Sequence, residues 1–236
     1  MSPIELHQFV SNWTLPNPSP FCLKVETWLR MAGLPYEIHP WNPKAAPMGK
    51  APFVRFEGRT IADSSVIVRE LTAACGVSLD RDVGPHERAK ALLIQRTLEE
   101  HTYWVMVYTR WIDEAGWATY KPVIAASMPG PMPGVIAGVA RRGVLKAAHA
   151  QGLSRHEPAE VYRRGIEDLD AIGAFLGERP FLLGDAPTSV DTTGYGFLAQ
   201  ILHPGVSNPF TEHARSMETL VAYVDRMRER YWAEPA

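Results

Sequence analysis

The segment Ser19-Pro20-Phe21-Cys22, running on to Ala32 and closed by Gly33-Leu34-Pro35, constrains the fold of this chain more than any other stretch. Serine is a preferred helix cap, and proline suits the first helical turn because its missing N–H would have no partner there anyway. Behind them Cys22, Val25, Trp28, Leu29 and Ala32 recur at helical spacing, and Gly33 suits a left-handed terminus. A helix therefore begins at Ser19, with a hydroxyl and a row of backbone N–H groups at its mouth. Such a mouth carries partial positive charge and favours an anion.

The neighbouring segments fix what this helix belongs to. Ile4, Leu6 and Gln8 alternate with Glu5, His7 and Phe9 as a first strand, and Tyr36-Glu37-Ile38-His39 reads as a second. A proline-rich connection then leads to Phe53-Val54-Arg55-Phe56 and Arg59-Thr60-Ile61, two short strands joined at Glu57-Gly58. Asp63-Ser64 opens a second helix that carries Val66, Ile67, Leu71 and Ala74 inward and stops at Gly76. Strand, helix, strand, hairpin, helix is a thioredoxin-like order, assigned to residues 1–76. The polar stretch 77–85, with Asp80, Arg81 and Asp82, reads as a linker.

From residue 86 to 236 the pattern is helical throughout, giving an α+β chain with an all-α second domain. Helices are expected at 87–115, 135–150, 158–176, 189–202 and 212–231, with a Pro/Gly-rich break from Met128 to Gly134. Thr188 followed by Asp191 has the spacing of a capping box. In the first of these helices His101, Trp104, Tyr108 and Trp111 share a face, with Tyr103 adjacent. An aromatic stripe of this kind reads as core packing or as the lining of a cleft, and the two can hold together.

Three separated segments suit one thiol-containing peptide ligand. Ser19 reads as a plain cap or as a hydroxyl placed beside a sulfur anion. A thiol of pKa about 8.5 lowered by roughly two units would be mostly thiolate at neutral pH, at about 1.4 kcal/mol per unit. Ala51-Pro52 precedes a strand, where a cis bond would turn the Ala51 backbone outward toward a peptide. Lys50 reads as a solvated lysine or a carboxylate's partner, and Asp63 with Ser64 as a helix cap or a seat for a ligand's ammonium and carboxylate.

Other chemistries find little support. With 24 basic against 26 acidic residues the net charge is −2, so no global field would draw nucleic acid or an anionic membrane. The two cysteines, Cys22 and Cys75, match neither a redox pair nor a zinc site, and Cys22 reads as core. The eight histidines show no metal spacing, and no apolar run reaches the roughly 18 residues of a membrane span. Gly194-Tyr195-Gly196-Phe197-Leu198-Ala199 fits a loose dinucleotide pattern but lies inside an expected helix with no strand before it, so no nucleotide is expected. The N-terminal residues lack the pattern of a signal peptide, and reduced thiols point to a cytoplasmic setting.

Ser19-Pro20-Phe21 and the helix through Arg30 resemble the serine motif of tau-class plant glutathione transferases, and Lys50-Ala51-Pro52 and Asp63-Ser64 are similar to their glutathione-site segments. A longer match, combining residues 19–32 with Phe181-Leu182-Leu183-Gly184-Asp185-Ala186-Pro187-Thr188 and Arg230-Tyr231-Trp232, resembles the failed-axon-connections and metaxin-related branch of the same superfamily. The resemblance spans nearly the whole chain. It implies glutathione as co-substrate, an apolar electrophile as partner and a two-fold dimer. It also implies Ser19 as the catalytic hydroxyl, Phe21, Lys50, Ala51 and Pro52 along the glutathione backbone, and Asp63 and Ser64 at its γ-glutamyl end. His101, Trp104, Tyr108 and Trp111 would border the co-substrate pocket. Where the family carries Glu or Gln before the serine, this chain carries Asp63, with a shorter reach. The metaxin-related branch also includes import and signalling components, so a non-catalytic adaptor is the second expectation.

Overall fold

A computed structural model describes residues 3–10, 14–127, 133–202 and 205–233. The expected break beginning at Met128 falls largely outside them. Four strands, β1 (Ile4–Gln8), β2 (Tyr36–Pro40), β3 (Phe53–Phe56) and β4 (Arg59–Ala62), form one sheet in the order β2-β1-β3-β4. β1 and β2 run parallel, joined across helix α1 (Pro20–Ala32), whereas β1–β3 and β3–β4 are antiparallel. The hairpin turns through Glu57 (φ 49°) and Gly58 (φ 74°), the double positive φ that matches the right-handed twist of the flanking strands. Helix α2 (Ser64–Cys75) completes a thioredoxin-like unit around Ile4, Leu6, Val25, Trp28, Val54 and Ile67.

The remaining described elements are helical. α3 (Pro85–Arg96) runs without interruption into a π-helical segment, Thr97–Thr102, then α4 (Tyr103–Val107) and a second π-helical segment, Tyr108–Ile112. After these come α5 (Glu114–Ser127), α6 (Pro133–Gln151), α7 (Pro158–Leu176), α8 (Ser189–Leu202), α9 (Pro209–Ser216) and α10 (Glu218–Trp232). Among the described residues, no helix is long and apolar enough to cross a membrane.

Two expected helices are divided. The one expected over 87–115 ends at Asp113, whose ψ of 127° leaves the helix and whose Oδ1 accepts the Gly116 N–H at 2.8 Å, so that α5 starts afresh. Gly116 is required there, because a Cβ would lie 1.6 Å from the Thr109 carbonyl oxygen. The helix expected over 212–231 is two. α9 begins earlier, at an Asn208–Thr211 capping box, and the chain bends at Met217, whose side chain packs over Gly173. The break at Met217 packs on a distant helix, whereas that at Asp113 is closed by its own neighbours, and helical periodicity carries neither.

Helix α1 is enclosed on both faces. One side covers the sheet, and the other lies against α8, buried along its whole length. The two glycines of the discounted dinucleotide pattern serve this packing. A Cβ on Gly196 would come within 2.8 Å of the Pro20 carbonyl oxygen, and one on Gly194 within 2.5 Å of the Tyr223 hydroxyl. Asp191 holds the start of α8, accepting the Thr188 N–H at 2.8 Å and hydroxyl at 3.0 Å, the Leu182 N–H at 2.9 Å and the Tyr223 hydroxyl at 3.1 Å. Asp80, from the polar stretch after α2, accepts the Ser189 N–H at 2.8 Å.

Because α1 is enclosed, its polar side chains find their partners inside. Glu26 accepts from Gln8 at 2.6 Å and from Tyr36 at 3.0 Å. Lys24 Nζ lies 2.5 Å from Glu99 Oε1 and donates to Ser65 Oγ at 2.9 Å, and Gln95 Nε2 joins Glu99 at 2.9 Å. Lys24 and Glu99 are both buried, so removing either leaves the other charge stranded.

Glu99→Leu is expected to lose about 3–5 kcal/mol in denaturant unfolding, with Lys24→Met/Glu99→Leu recovering most of it. Equal losses in single and double variants would contradict this. Gly196→Ala should cost about 1–3 kcal/mol by forcing α8 from the first turn of α1, read as a lower denaturant midpoint.

Candidate functional site

A cavity of about 580 Å³ lies between the thioredoxin-like unit and the helices that follow. Ser19, Phe21, Lys50, Ala51, Asp63 and Ser64 all line it, although they come from three segments of the chain. Ser19 caps α1 with extended backbone, and its Oγ accepts the Cys22 N–H at a long 3.4 Å. That bond uses a lone pair, and the hydroxyl proton can be given either to the neighbouring Cys22 sulfur or to a ligand in the cavity. Cys22 is fully buried, with its thiol within hydrogen-bond reach of the Ser19 side chain, and burial pushes that thiol up to about 12, away from reactive thiolate.

The bond between Ala51 and Pro52 is cis. Ala51 lines the cavity, whereas Pro52 is buried and stands behind the lining. Lys50 is exposed at the rim. Asp63 Oδ1 accepts the Ser65 N–H at 2.9 Å and the Val66 N–H at 3.1 Å, capping α2 from a backbone held at φ 74°. A positive φ outside glycine is strained, and here it lies at the cavity edge, beside the buried hydroxyl of Ser64.

The helical wall divides the expected aromatic stripe. Trp104 and Trp111 line the cavity, but His101 and Tyr108 do not. His101 Nδ1 lies 2.7 Å from Asp168 Oδ2 on α7, and Tyr108 packs edge-on against Tyr162 at 5.8 Å between ring centres. Both are drawn to α7, which supplies Asp168 to the imidazole and Tyr162 to the phenol ring.

Other residues complete the lining. Tyr103 lines the cavity, packing edge-on against Phe21 at 5.2 Å. Burial raises its phenol pKa, so it stays protonated at neutral pH. Arg110 and Tyr120 are buried in the wall beside Pro18, and burial raises the Tyr120 phenol as well. On the opposite side Trp41 joins Lys50, with its indole N–H unpartnered. Its only sequence signal was an aromatic residue in a proline-rich connection. The cavity thus combines polar groups from loops and helix starts with apolar residues of the helices, Trp104, Val107, Trp111 and Ile124 among them, while Arg96, Glu99 and Glu100 add charge to the helical wall. Among the described residues, no group of three or more His, Cys, Asp or Glu is placed to hold a metal ion.

Comparison with known proteins agrees with this architecture. Residues 20–116 match the family model "Glutathione S-transferase N-terminal domain", and residues 165–227 match "Glutathione S-transferase, C-terminal domain". The chain is 32% identical to the isoprene-epoxide glutathione S-transferase of Rhodococcus sp. (strain AD45), over 97% of this chain and 99% of that protein. It is 29% identical to failed axon connections of Drosophila melanogaster, over 96% of this chain but 57% of that longer protein. With metaxin-1 of Macaca fascicularis it shares 28% identity, over 98% and 76% respectively. Among solved structures, the β-etherase LigF from Sphingobium sp. strain SYK-6 superposes with a TM-score of 0.67 at 18% identity, over 99% of this chain and 96% of that one. The chain therefore belongs to the glutathione S-transferase family, with failed axon connections and metaxin-1 among its relatives.

Proposed function

We propose that the protein is a glutathione transferase: it binds glutathione along the polar side of the cavity, holds it as thiolate beside Ser19, and directs the sulfur at an electrophile on the apolar side. The observation that carries this reading is the convergence of Ser19, Lys50, Asp63 and Ser64 on one cavity whose opposite wall is aromatic. Lys50 and the Trp41 indole would take the ligand's glycyl end, and Asp63 with Ser64 its γ-glutamyl end. Lowering a thiol by two pKa units needs about 2.7 kcal/mol. A hydrogen bond to an ion contributes about 1.5–3 kcal/mol and a helix start about 0.3–1 kcal/mol, so one hydroxyl at α1 suffices.

The Rhodococcus relative suggests epoxides as a substrate class. In such a reaction the sulfur–carbon bond forms as the ring carbon–oxygen bond breaks, and the emerging alkoxide needs a proton. Tyr103, which lines the cavity and is protonated at neutral pH, would donate it, and solvent then returns a proton to the phenolate.

A non-catalytic adaptor is the second reading, favoured by the near-complete match of this chain to failed axon connections and metaxin-1. Calorimetric titration with glutathione, run beside conjugation assays, separates the two: binding without turnover of any electrophile supports the adaptor.

Ser19→Ala should lower kcat for conjugation about 10–100-fold with little change in thermal midpoint. A variant as fast as the parent would remove Ser19 from the mechanism. Tyr103→Phe should lower kcat/KM for an alkyl epoxide roughly tenfold while sparing an aryl chloride, whose leaving group needs no proton. Equal losses on both substrates would assign Tyr103 to packing alone.

A further inference from the structure

The loop that presents Ser19 is gripped by the helical half of the chain. The Asn17 carbonyl accepts Gln200 Nε2 at 2.6 Å, and the Pro18 carbonyl accepts both the Tyr120 hydroxyl at 3.1 Å and Arg110 Nη1 at 3.4 Å. Arg110 also donates to the Gln200 carbonyl at 2.5 Å, and its guanidinium lies 4.9 Å from the centre of the Tyr120 ring. Asn17 completes the arrangement from within the loop, donating to the Phe9 carbonyl at 2.7 Å and accepting the Ser19 N–H at 3.0 Å. Asn17, Arg110, Tyr120 and Gln200 are each at most 4% exposed.

These contacts fall on one peptide plane. The Pro18 oxygen and the Ser19 N–H are opposite edges of the same rigid unit, and each is held by a side chain. Fixing both edges fixes the Ser19 Cα, and with it the point from which the hydroxyl projects into the cavity. Satisfying a buried carbonyl takes one donor, yet the Pro18 oxygen receives two, one of them a guanidinium that is costly to bury. Both donors stand in the cavity wall, beside the group they would orient.

We propose that Tyr120 and Arg110 are positioning residues: they hold the Pro18–Ser19 peptide so that the serine hydroxyl meets the ligand's sulfur. Docking of the helical half onto the loop thereby sets how readily the thiol ionises. The proposal rests on the reading of Ser19 as the thiolate's partner. Neither residue touches the sulfur, so their substitution should alter ionisation and turnover rather than the capture of glutathione.

The test is the ultraviolet absorbance of bound glutathione thiolate, titrated against pH, in the parent protein, Tyr120→Phe, Arg110→Lys and Ser19→Ala. Tyr120→Phe keeps the ring under Arg110 and removes one donor. Its titration midpoint should rise by about 0.5–1 unit and kcat at neutral pH fall roughly three- to tenfold, with KM for glutathione changed less than about twofold. Arg110→Lys keeps the charge but not the fork that spans the Pro18 and Gln200 carbonyls, and should shift the midpoint in the same direction. A lower unfolding midpoint with an unmoved thiolate titration in Tyr120→Phe and Arg110→Lys, while Ser19→Ala does move it, overturns the positioning role alone. An unmoved titration in Ser19→Ala, or no thiolate signal in the parent, overturns the reading of Ser19 and this proposal with it.

Discussion

The enclosure of helix α1 governs the rest of the molecule. Its apolar residues cover the sheet, its other side meets α8 at glycine-to-backbone distance, and its N-terminus opens on the cavity. A helix buried this completely has no water for its polar side chains, so Lys24 and Glu26 must be paired inside the protein. Glu26 is served by the thioredoxin-like unit itself, but Lys24 needs Glu99 from the helical half. Thr27 and Arg30 extend the tie to the C-terminal helix, where the Trp232 indole donates to Thr27 Oγ1 at 3.2 Å and Arg30 stacks on the Trp232 ring at 4.0 Å. Neither half is electrostatically complete without the other.

The two π-helical segments carry the charges that tie the halves together. Each sits in an otherwise continuous helical run and turns one buried charge toward the thioredoxin-like unit, Glu99 from the first and Arg110 from the second. The first charge meets a side chain of α1 and the second the backbone that leads into it. The wall that turns His101 and Tyr108 to α7 presents Tyr103 and Arg110 to the cavity, and α5 adds Tyr120. The catalytic reading and the packing of the two halves are thus parts of one arrangement, in which the chemistry offered to a thiol depends on contacts made for stability.

Much of this was legible along the chain because its signals are local. A cap before a proline, glycines at 33 and 76 with positive φ, the Glu57-Gly58 turn and the Asp63 cap all act within a few residues, and the elements they bound stand where expected. The polar end of the cavity followed from these, since each of its residues sits at the start of an element. The apolar end was read from periodicity, which does not carry the attraction of His101 and Tyr108 to Asp168 and Tyr162 on α7. Met217 broke an expected helix over a contact with the distant Gly173, whereas the break at Asp113 is local, closed by the Gly116 N–H and the close approach of Gly116 to Thr109.

The sequence by itself determined where helices and strands begin, which strand pairs through a tight turn, and which side chains stand at the mouths of α1 and α2. Those outcomes depend on backbone donors, left-handed residues and caps, whose range is a single turn. Tertiary structure alone decided that Lys24 faces Glu99, that Gly196 meets Pro20, and that Arg110, Tyr120 and Gln200 close on the loop before Ser19. Those contacts join residues 75 to 183 positions apart, and no local preference can encode a partner at that distance. What selects them is the cost of burying a polar group unpaired, which is felt only once the two halves of the chain have closed on helix α1.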